Sequence, residues 1–210
     1  MLLSGGIDSA TALFLCQGRY SVRALTFEYH GIADRELESA KAIADFAGVT
    51  EHRRVRLPDL REAGDIRGAK FGGLPPTYIP LRNSIFYSFA ASYAEEVGAS
   101  AVVGGHNKDD SEVFEDVSSE FFTLLRGALS AGSALLRKKR FEIIRPLKAK
   151  RKAEVVKLAA SLGVPLELTW SCHRDGPSHC WRCPGCQARA SSFVNARVQD
   201  PLSVGPRKIT

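Results

Sequence analysis

Four cysteines near the C-terminus carry the clearest chemical signal in this chain. They are Cys172, Cys180, Cys183 and Cys186, and the last three follow one another in Cys-x2-Cys steps. Each step lets two thiolates point at one centre, and four thiolates close a tetrahedral Zn²⁺ site with Zn–S distances of about 2.3 Å. An iron–sulfur cluster uses the same ligands. The spacing predicts a closed metal site that favours structural zinc; a cluster, two disulfides or ordinary thiols are the alternatives.

A glycine-rich turn near the N-terminus has the pattern of an anion-binding loop. Residues 4–9 read Ser-Gly-Gly-Ile-Asp-Ser, between the apolar residues 1–3 and an apolar helix-like segment. Glycines permit close backbone approach, and free N–H groups at a helix N-terminus attract an anion. The Asp8 carboxylate is suited either to orienting a metal ion or to capping the helix that follows. No Gly-Lys-[Ser/Thr] follows, so this is not a Walker loop, and the alternative to phosphate binding is a simple capped helix.

Composition and charge narrow the class of protein. The 210 residues include 44% hydrophobic residues, which suits one globular domain with an appendage. The net charge of +6 is dispersed, with short basic runs only at 53–54, 137–140 and 148–152. Such runs indicate solvated faces rather than a nucleic-acid interface. No apolar run approaches the roughly 18 residues of a membrane span, so no membrane partner is predicted. Thiolate ligands and Cys16, expected to be buried, fit a reducing cytoplasm.

Alternating strands and helices must position these residues. The predicted strands are 1–3, 21–29, 53–57, 101–105 and 141–144. The predicted helices are 9–17, 35–47, 83–97, 109–127 (with an interruption near Ser118) and 152–162. This order predicts an α/β fold, a doubly wound parallel sheet of about five strands covered on both faces. The chain is divided into an α/β domain over 1–165 and a zinc-binding segment over 166–210 that packs on it.

The glycine turns are expected to meet at one edge of that sheet. Ligands bind such sheets at the carboxyl ends of the strands, at the point where the strand order reverses. The turns at 4–9 and 104–110 both follow predicted strands, so they should face one cleft. Residues 58–80 contain many Gly and Pro and no clear periodicity. Long loops of this kind are commonly functional.

Three segments resemble the PP-loop ATP pyrophosphatases, enzymes that activate a carbonyl or carboxylate by adenylation. Residues 4–9 are similar to their SGGxDS signature. Residues 105–110, Gly-His-Asn-Lys-Asp-Asp, are similar to their GHNxxD motif, and residues 146–154 resemble the PLxxxxKxE segment. The resemblance implies an adenine nucleotide alpha hydrolase-like fold with the nucleotide at the glycine loop.

Two further segments and the cysteines resemble one branch, the QueC family of 7-cyano-7-deazaguanine synthases. Residues 77–83 are similar to that family's TYxPxRN, and residues 169–172 to its TWSC. The resemblance covers about residues 2–195. Residues 105–116 differ from the GxNxxDYSGYPDC-like segment of bacterial members and look closer to an archaeal-type or diverged subgroup.

This resemblance implies a reaction and a set of residues. ATP adenylates 7-carboxy-7-deazaguanine, ammonia converts the adenylate to an amide, and a second activation gives the nitrile, for queuosine or archaeosine. Mg²⁺ accompanies ATP, one structural Zn²⁺ is held by the four cysteines, and the chain is expected to form a homodimer.

The catalytic residues are expected to be Asp8, Arg82, Asp109 and Lys152. ATP binding is assigned to Leu3, Ser4, Gly5, Gly6, Ile7, Asp8, Ser9, Phe27, Gly105, His106 and Lys152. Substrate binding is assigned to Tyr78, Arg82, Asn83 and Trp170.

Other functions stay open at this stage. The altered segment at 105–116 suggests that a protein or peptide amine replaces ammonia as the acceptor. A tRNA-modifying PP-loop enzyme would need an RNA-binding domain, which the sequence does not indicate. A nucleotide-binding sensor without turnover is the hypothesis outside enzymes. It is opposed by the presence of Asp8, Ser9 and Lys152.

Overall fold

Parallel strands and helices alternate along the chain, as the sequence predicts. The computed structural model describes residues 1–63 and 78–203. The strands are β1 (Ala24–Tyr29), β2 (His52–Leu57), β3 (Ala101–Val103) and β4 (Glu142–Ile144). The helices are α1 (Ile7–Gln17), α2 (Asp34–Phe46), α3 (Arg82–Glu96), α4 (Lys108–Ser111), α5 (Ser119–Gly132), α6 (Ala134–Lys138), α7 (Lys152–Ser161) and α8 (Pro184–Ala196).

Residues 1–3 join the two strand pairs. β1 pairs with β2, β3 pairs with β4, and both pairs are parallel. The Leu3 N–H donates to the carbonyl of Leu25 at 2.8 Å, and the Leu2 N–H donates to the carbonyl of Val103 at 2.9 Å. Residues 1–3 therefore lie between β1 and β3, at the centre of the sheet. The reversal of strand order lies where residue 4 begins the glycine loop, which is where a ligand is expected.

Helices cover both faces of the sheet and create two cores. One core joins α1, α2, α7 and α8, and its buried members include Ile7, Ile43 and Val156. The other joins α3, α5 and α6, with Tyr87 and Phe122 buried at its centre. This arrangement confirms the α/β fold with a parallel sheet. None of the helices in the described part of the chain combines the length and apolar character needed to cross a bilayer.

Two helical segments differ from the prediction. The predicted helix over 109–127 is divided, because α4 ends at Ser111 and α5 starts anew after Ser118, whose side chain accepts a hydrogen bond from the Phe121 N–H at 3.0 Å. The interruption expected near Ser118 is thus confirmed. α8 was not predicted; it starts with Pro184 in its first turn and packs Phe193 into the core with α1 and α7. The proposed domain boundary at residue 165 stays a prediction.

Candidate active site

The glycine loop opens into a cavity of about 410 Å³ at the carboxyl ends of the strands. Gly5 has a φ of 85°, and a β-carbon there would lie 2.5 Å from the carbonyl oxygen of Glu36 on α2. Only glycine therefore lets the loop pass so close to this helix. The predicted residues that line the cavity are Leu3, Ser4, Asp8, Ser9, Phe27, Arg82, Asn83, Gly105 and His106.

The loop is shaped by its own hydroxyl groups. The Ser4 and Ser9 hydroxyl oxygens lie 3.1 Å apart, and the Ser9 hydroxyl donates to the carbonyl of Gly6 at 3.0 Å. Gly6 is extended and precedes α1, while the Ile7 side chain is buried in the core beneath the loop. Gly6 and Ile7 thus shape the cradle with their backbone, and the two serines supply its polar side chains.

The second glycine turn packs directly on the first. A β-carbon on Gly105 would lie 2.7 Å from the Ser9 nitrogen and 2.8 Å from the Asp8 carbonyl carbon. Because both contacts are with backbone atoms, any side chain at this position would push the turn away from α1. The single cleft predicted from the two glycine turns is present.

Asp8 and Lys152 meet at the edge of this cleft. The Lys152 ammonium group contacts the Asp8 carboxylate, although α1 and α7 are far apart in the sequence. The other oxygen of Asp8 is buried and has no hydrogen-bond partner among the described residues. A carboxylate with one oxygen engaged and one oxygen free is suited to a cation or a ligand hydroxyl.

Asp109 and Asp110 have different surroundings. Asp109 was expected to face the ligand, but its carboxylate accepts hydrogen bonds from the Lys152 N–H at 2.8 Å and from Arg151 at 2.6 Å. It thus holds the start of α7 in place. Asp110 lines the cavity instead and accepts a hydrogen bond from the Asn107 N–H at 3.0 Å. Burial, with a further effect of the Asp8 charge, raises the pKa of Asp110 to about 6.

His106 is a neutral side chain in the wall of the cavity. Burial, together with the positive charges of Arg82 and Arg145, lowers the pKa of His106 to about 4. Its ring centroid lies 5.5 Å from that of Phe122, and its Nε2 has no hydrogen-bond partner among the described residues. At neutral pH His106 therefore offers a hydrogen-bonding group to a ligand but no charge to a phosphate.

A second cavity of about 300 Å³ adjoins the first. The wall shared by the two cavities consists of Tyr29, Ile32, Glu36, Arg82 and His173. Tyr78 lines only the second cavity, and Thr77 of the same motif lies outside the described residues.

Arg82 stands at the junction of the two cavities, where a reacting acid could meet a nucleotide. It begins α3 and is followed by Asn83, whose side chain is buried. The Asn83 N–H donates to the Asp116 carboxylate at 3.1 Å. That bond satisfies a free donor at the start of α3 and so fixes the position from which Arg82 projects.

Trp170 borders neither cavity, in contrast to the predicted substrate contact. Its indole ring packs on His179, with ring centroids 4.3 Å apart, and the Arg35 guanidinium lies 5.2 Å from its centroid. Its backbone serves the site instead, because the Trp170 N–H donates to the carbonyl of Gly5 at 3.0 Å. This bond attaches the segment before the cysteines to the glycine loop.

The four cysteines converge on one point. One sulfur atom from each lies within 4.8 Å of the other three, and the Cys172–Cys183 and Cys180–Cys186 sulfur pairs are each 3.9 Å apart. Tetrahedral zinc with Zn–S distances of about 2.3 Å requires sulfur atoms about 3.8 Å apart. The donor set therefore fits a metal ion. His179 is occupied elsewhere, since its Nε2 accepts the Ser171 N–H at 3.0 Å.

Sequence reasoning missed Glu36, Tyr29 and His173 as cavity residues. Glu36 has the pattern of a solvated charge in the first turn of an amphipathic helix, but α2 packs on Gly5 and the Glu36 side chain lines the cavity. Tyr29 ends β1, and the carboxyl end of a parallel strand was the available signal. His173 directly follows the predicted metal ligand Cys172, and this position does not indicate that its side chain lines the cavity.

Comparison with known proteins identifies similar chains along nearly the whole length. The family model described as queuosine biosynthesis protein QueC matches residues 1–197. A 7-cyano-7-deazaguanine synthase of Thermoplasma volcanium is 38% identical over 216 residues, with 96% of this chain and 88% of that protein covered. One of Trichodesmium erythraeum is 37% identical, covering 96% and 98%. Among solved structures, the NMN synthetase from Francisella tularensis gives a TM-score of 0.48 at 18% identity, covering 94% and 76%.

Proposed function

The chain belongs to the QueC family, and we propose that it converts 7-carboxy-7-deazaguanine, ATP and ammonia to 7-cyano-7-deazaguanine. The observation that carries this proposal is the pair of joined cavities with Arg82 at their junction. The first suits a nucleotide, and the second is lined by aromatic and charged groups that suit a polar bicyclic base. Relatives named for this product match 96% of the chain.

The first chemical step is activation of the acid. The substrate carboxylate attacks the α-phosphorus of ATP, pyrophosphate leaves, and an acyl-adenylate forms. The backbone N–H groups at the start of α1 and the hydroxyls of Ser4 and Ser9 cradle phosphate oxygens. Lys152, positioned by Asp8 and Asp109, neutralises charge that develops on the pyrophosphate. Arg82 holds the attacking carboxylate with its planar guanidinium.

The remaining steps form the nitrile. Ammonia attacks the acyl carbon, AMP leaves, and an amide results. The amide oxygen then attacks the α-phosphorus of a second ATP and releases pyrophosphate, and loss of protons and AMP from the adenylated amide gives the nitrile. Much of the acceleration comes from holding both reactants together and away from water. Neutral His106 accepts a hydrogen bond from the incoming nitrogen. Nothing in the comparisons favours a protein or peptide amine as the acceptor.

Two metals fit the residues present. Asp8 and Asp110 would hold Mg²⁺, since carboxylate oxygens are its preferred protein ligands and both line the cavity. Bound Mg²⁺ would neutralise negative charge on the phosphates. The four cysteines would hold about one Zn²⁺ per chain, with no ligand position left for chemistry. We assign zinc a structural role, because the cysteine segment is attached to the glycine loop through Trp170.

We also propose a cytoplasmic homodimer. The thiolates of a metal site persist in a reducing compartment, and the dimer is what the family resemblance implies. The cellular location and the oligomeric state can each be measured without an activity assay.

Turnover that depends on the acid tests the proposed function. Purified protein with Mg²⁺, ATP and ammonium should form AMP and pyrophosphate only when 7-carboxy-7-deazaguanine is present, and mass spectrometry should detect amide and then nitrile. The matched control is 7-deazaguanine, which lacks the carboxylate and should leave ATP intact. ATP consumption at the same rate without the acid would overturn the assignment.

A further inference from the structure

One carboxylate at the junction of the cavities has no partner in the described structure. Glu36 lies in the first turn of α2 and borders both cavities. Within residues 1–63 and 78–203 its side chain makes no hydrogen bond or ion pair. The other acidic residues of the second cavity are engaged, because Asp116 accepts the Asn83 N–H and Glu62 has an interaction of its own.

Glu36 is half-buried in the wall that the two cavities share. Burial raises the pKa of Glu36 to about 7, even though the nearby Arg82 charge acts in the opposite direction. Glu36 and Arg82 line the same wall but do not approach within the 4.0 Å of an ion pair. A carboxylate that is partly removed from water forms stronger hydrogen bonds than one in bulk water, so a ligand that supplies donors gains affinity.

The deazaguanine base has donors that match such a carboxylate. Its pyrimidine edge presents an N1–H and an exocyclic amino group side by side, which two carboxylate oxygens can accept together. The 7-carboxylate lies on the other ring, several ångströms from that edge. A base that spans the second cavity therefore needs an acceptor pair at one end and a cation at the other. Glu36 and Arg82 both line the second cavity and carry these charges.

This inference rests on the proposed function. We propose that Glu36 determines substrate specificity by accepting hydrogen bonds from the N1–H and the amino group of the deazaguanine, while Arg82 holds its 7-carboxylate toward the glycine loop. Tyr29 and Tyr78 offer aromatic surface to the rings between these ends. The same carboxylate repels adenine, which has an acceptor at N1, and so keeps the base of ATP out of the second cavity.

Paired ligands that differ by one amino group test the role of Glu36. Calorimetry compares 7-carboxy-7-deazaguanine with the analogue that lacks the 2-amino group. Wild type should prefer the amino compound by roughly 10- to 100-fold, the range of a good bidentate pair. Glu36→Gln replaces one acceptor with a competing donor, so this preference should disappear while ATP affinity stays within about twofold.

The control is Glu38→Gln, an exposed acid on the same helix that pairs with Arg35 at 2.7 Å; it should leave both affinities at the wild-type values. An equal fold-loss for both ligands in Glu36→Gln would show a merely structural role and overturn the inference alone. Wild type that binds neither acid would overturn the proposed function itself. If Glu36→Gln does not fold, the test is made on the wild-type protein. There, 7-carboxy-7-deazaguanine methylated at N1 should bind at least tenfold more weakly than 7-carboxy-7-deazaguanine itself, and equal affinities would overturn the inference.

Discussion

At the scale of single residues, two adjacent aspartates have opposite surroundings. Asp109 points to α7 and is half-exposed, whereas Asp110 points into the cavity beside Asp8. Adjacent residues at a helix start project in different directions, so the motif alone does not reveal which of them faces the ligand. The difference appears in their electrostatics, because burial raises the pKa of Asp110 to about 6.

Asp110→Asn should change the pH dependence of stability. Because the folded pKa is raised above an unfolded value of about 3.9, ionisation of Asp110 costs stability as pH rises from about 4 through about 6. Without Mg²⁺, the variant should therefore gain about 2 kcal/mol in free energy of unfolding relative to wild type between pH 4 and pH 8. Urea unfolding at each pH measures this difference.

The comparison with wild type is necessary because His106 acts in the opposite direction. Its folded pKa of about 4 lies below the unfolded value, so its contribution to stability increases as pH rises. Glu120→Gln, an exposed substitution, serves as the control and should show no pH-dependent difference. A constant difference between Asp110→Asn and wild type would contradict the assigned surroundings.

At the scale of elements, the cysteine cluster and α8 depend on each other. Cys183 contributes a sulfur atom and is also the residue immediately before α8. α8 places Phe193 in the core that α1 and α7 share. Loss of one ligand thus reaches the centre of the α/β fold rather than a peripheral loop.

Cys183→Ser should lose its metal and its stable fold together. A structural zinc site contributes about 10–16 kcal/mol in small metal-dependent domains, comparable to the whole stability of a domain. Metal analysis should give about one zinc per wild-type chain and less than a tenth of that in the variant, with early thermal unfolding. Cys16→Ala is the control, since Cys16 is buried away from the cluster and its loss should leave metal content unchanged. A metal-free Cys183→Ser protein with the wild-type midpoint would refute the structural role.

Local patterns predicted the strands, the first helix and the cysteine cluster, because each depends on spacing within a few residues. The sequence did not indicate α8, although Pro184 in its first turn was a usable signal. Local patterns do not indicate where the Trp170 and Glu36 side chains lie. Their directions follow from contacts across the fold, with Arg35 and His179 for Trp170 and with Gly5 for the turn of Glu36.

At the scale of the whole molecule, one buried ion pair holds the C-terminal part together. Arg189 of α8 is 1% exposed and binds both oxygens of Asp200, at 2.7 and 2.8 Å. The same guanidinium donates to the Thr169 hydroxyl at 2.8 Å and the Leu166 carbonyl at 3.1 Å. It therefore connects α8, the end of the described chain and the segment that leads to Trp170.

Arg189→Met should strongly destabilise the protein. The substitution leaves the Asp200 carboxylate buried without a cation, which typically costs about 3–5 kcal/mol. Chemical denaturation should report this loss, and Asp200→Leu in the same chain should recover part of it. Lys41→Met breaks the exposed pair with Asp45 and should cost less than about 1 kcal/mol. Equal small losses for the two variants would contradict the role given to Arg189.

The backbone bond between Trp170 and Gly5 has a thermodynamic consequence. The proposed zinc would order the segment that leads to Trp170, and this segment is bonded to the glycine loop, so binding of zinc and binding of ATP are expected to be coupled. Reciprocity requires that whatever advantage the metal gives to nucleotide affinity, the nucleotide returns to metal affinity. If the proposed zinc and ATP sites are coupled in this way, ATP should slow removal of the metal by a chelator, and removal of the metal should weaken ATP binding by the same factor.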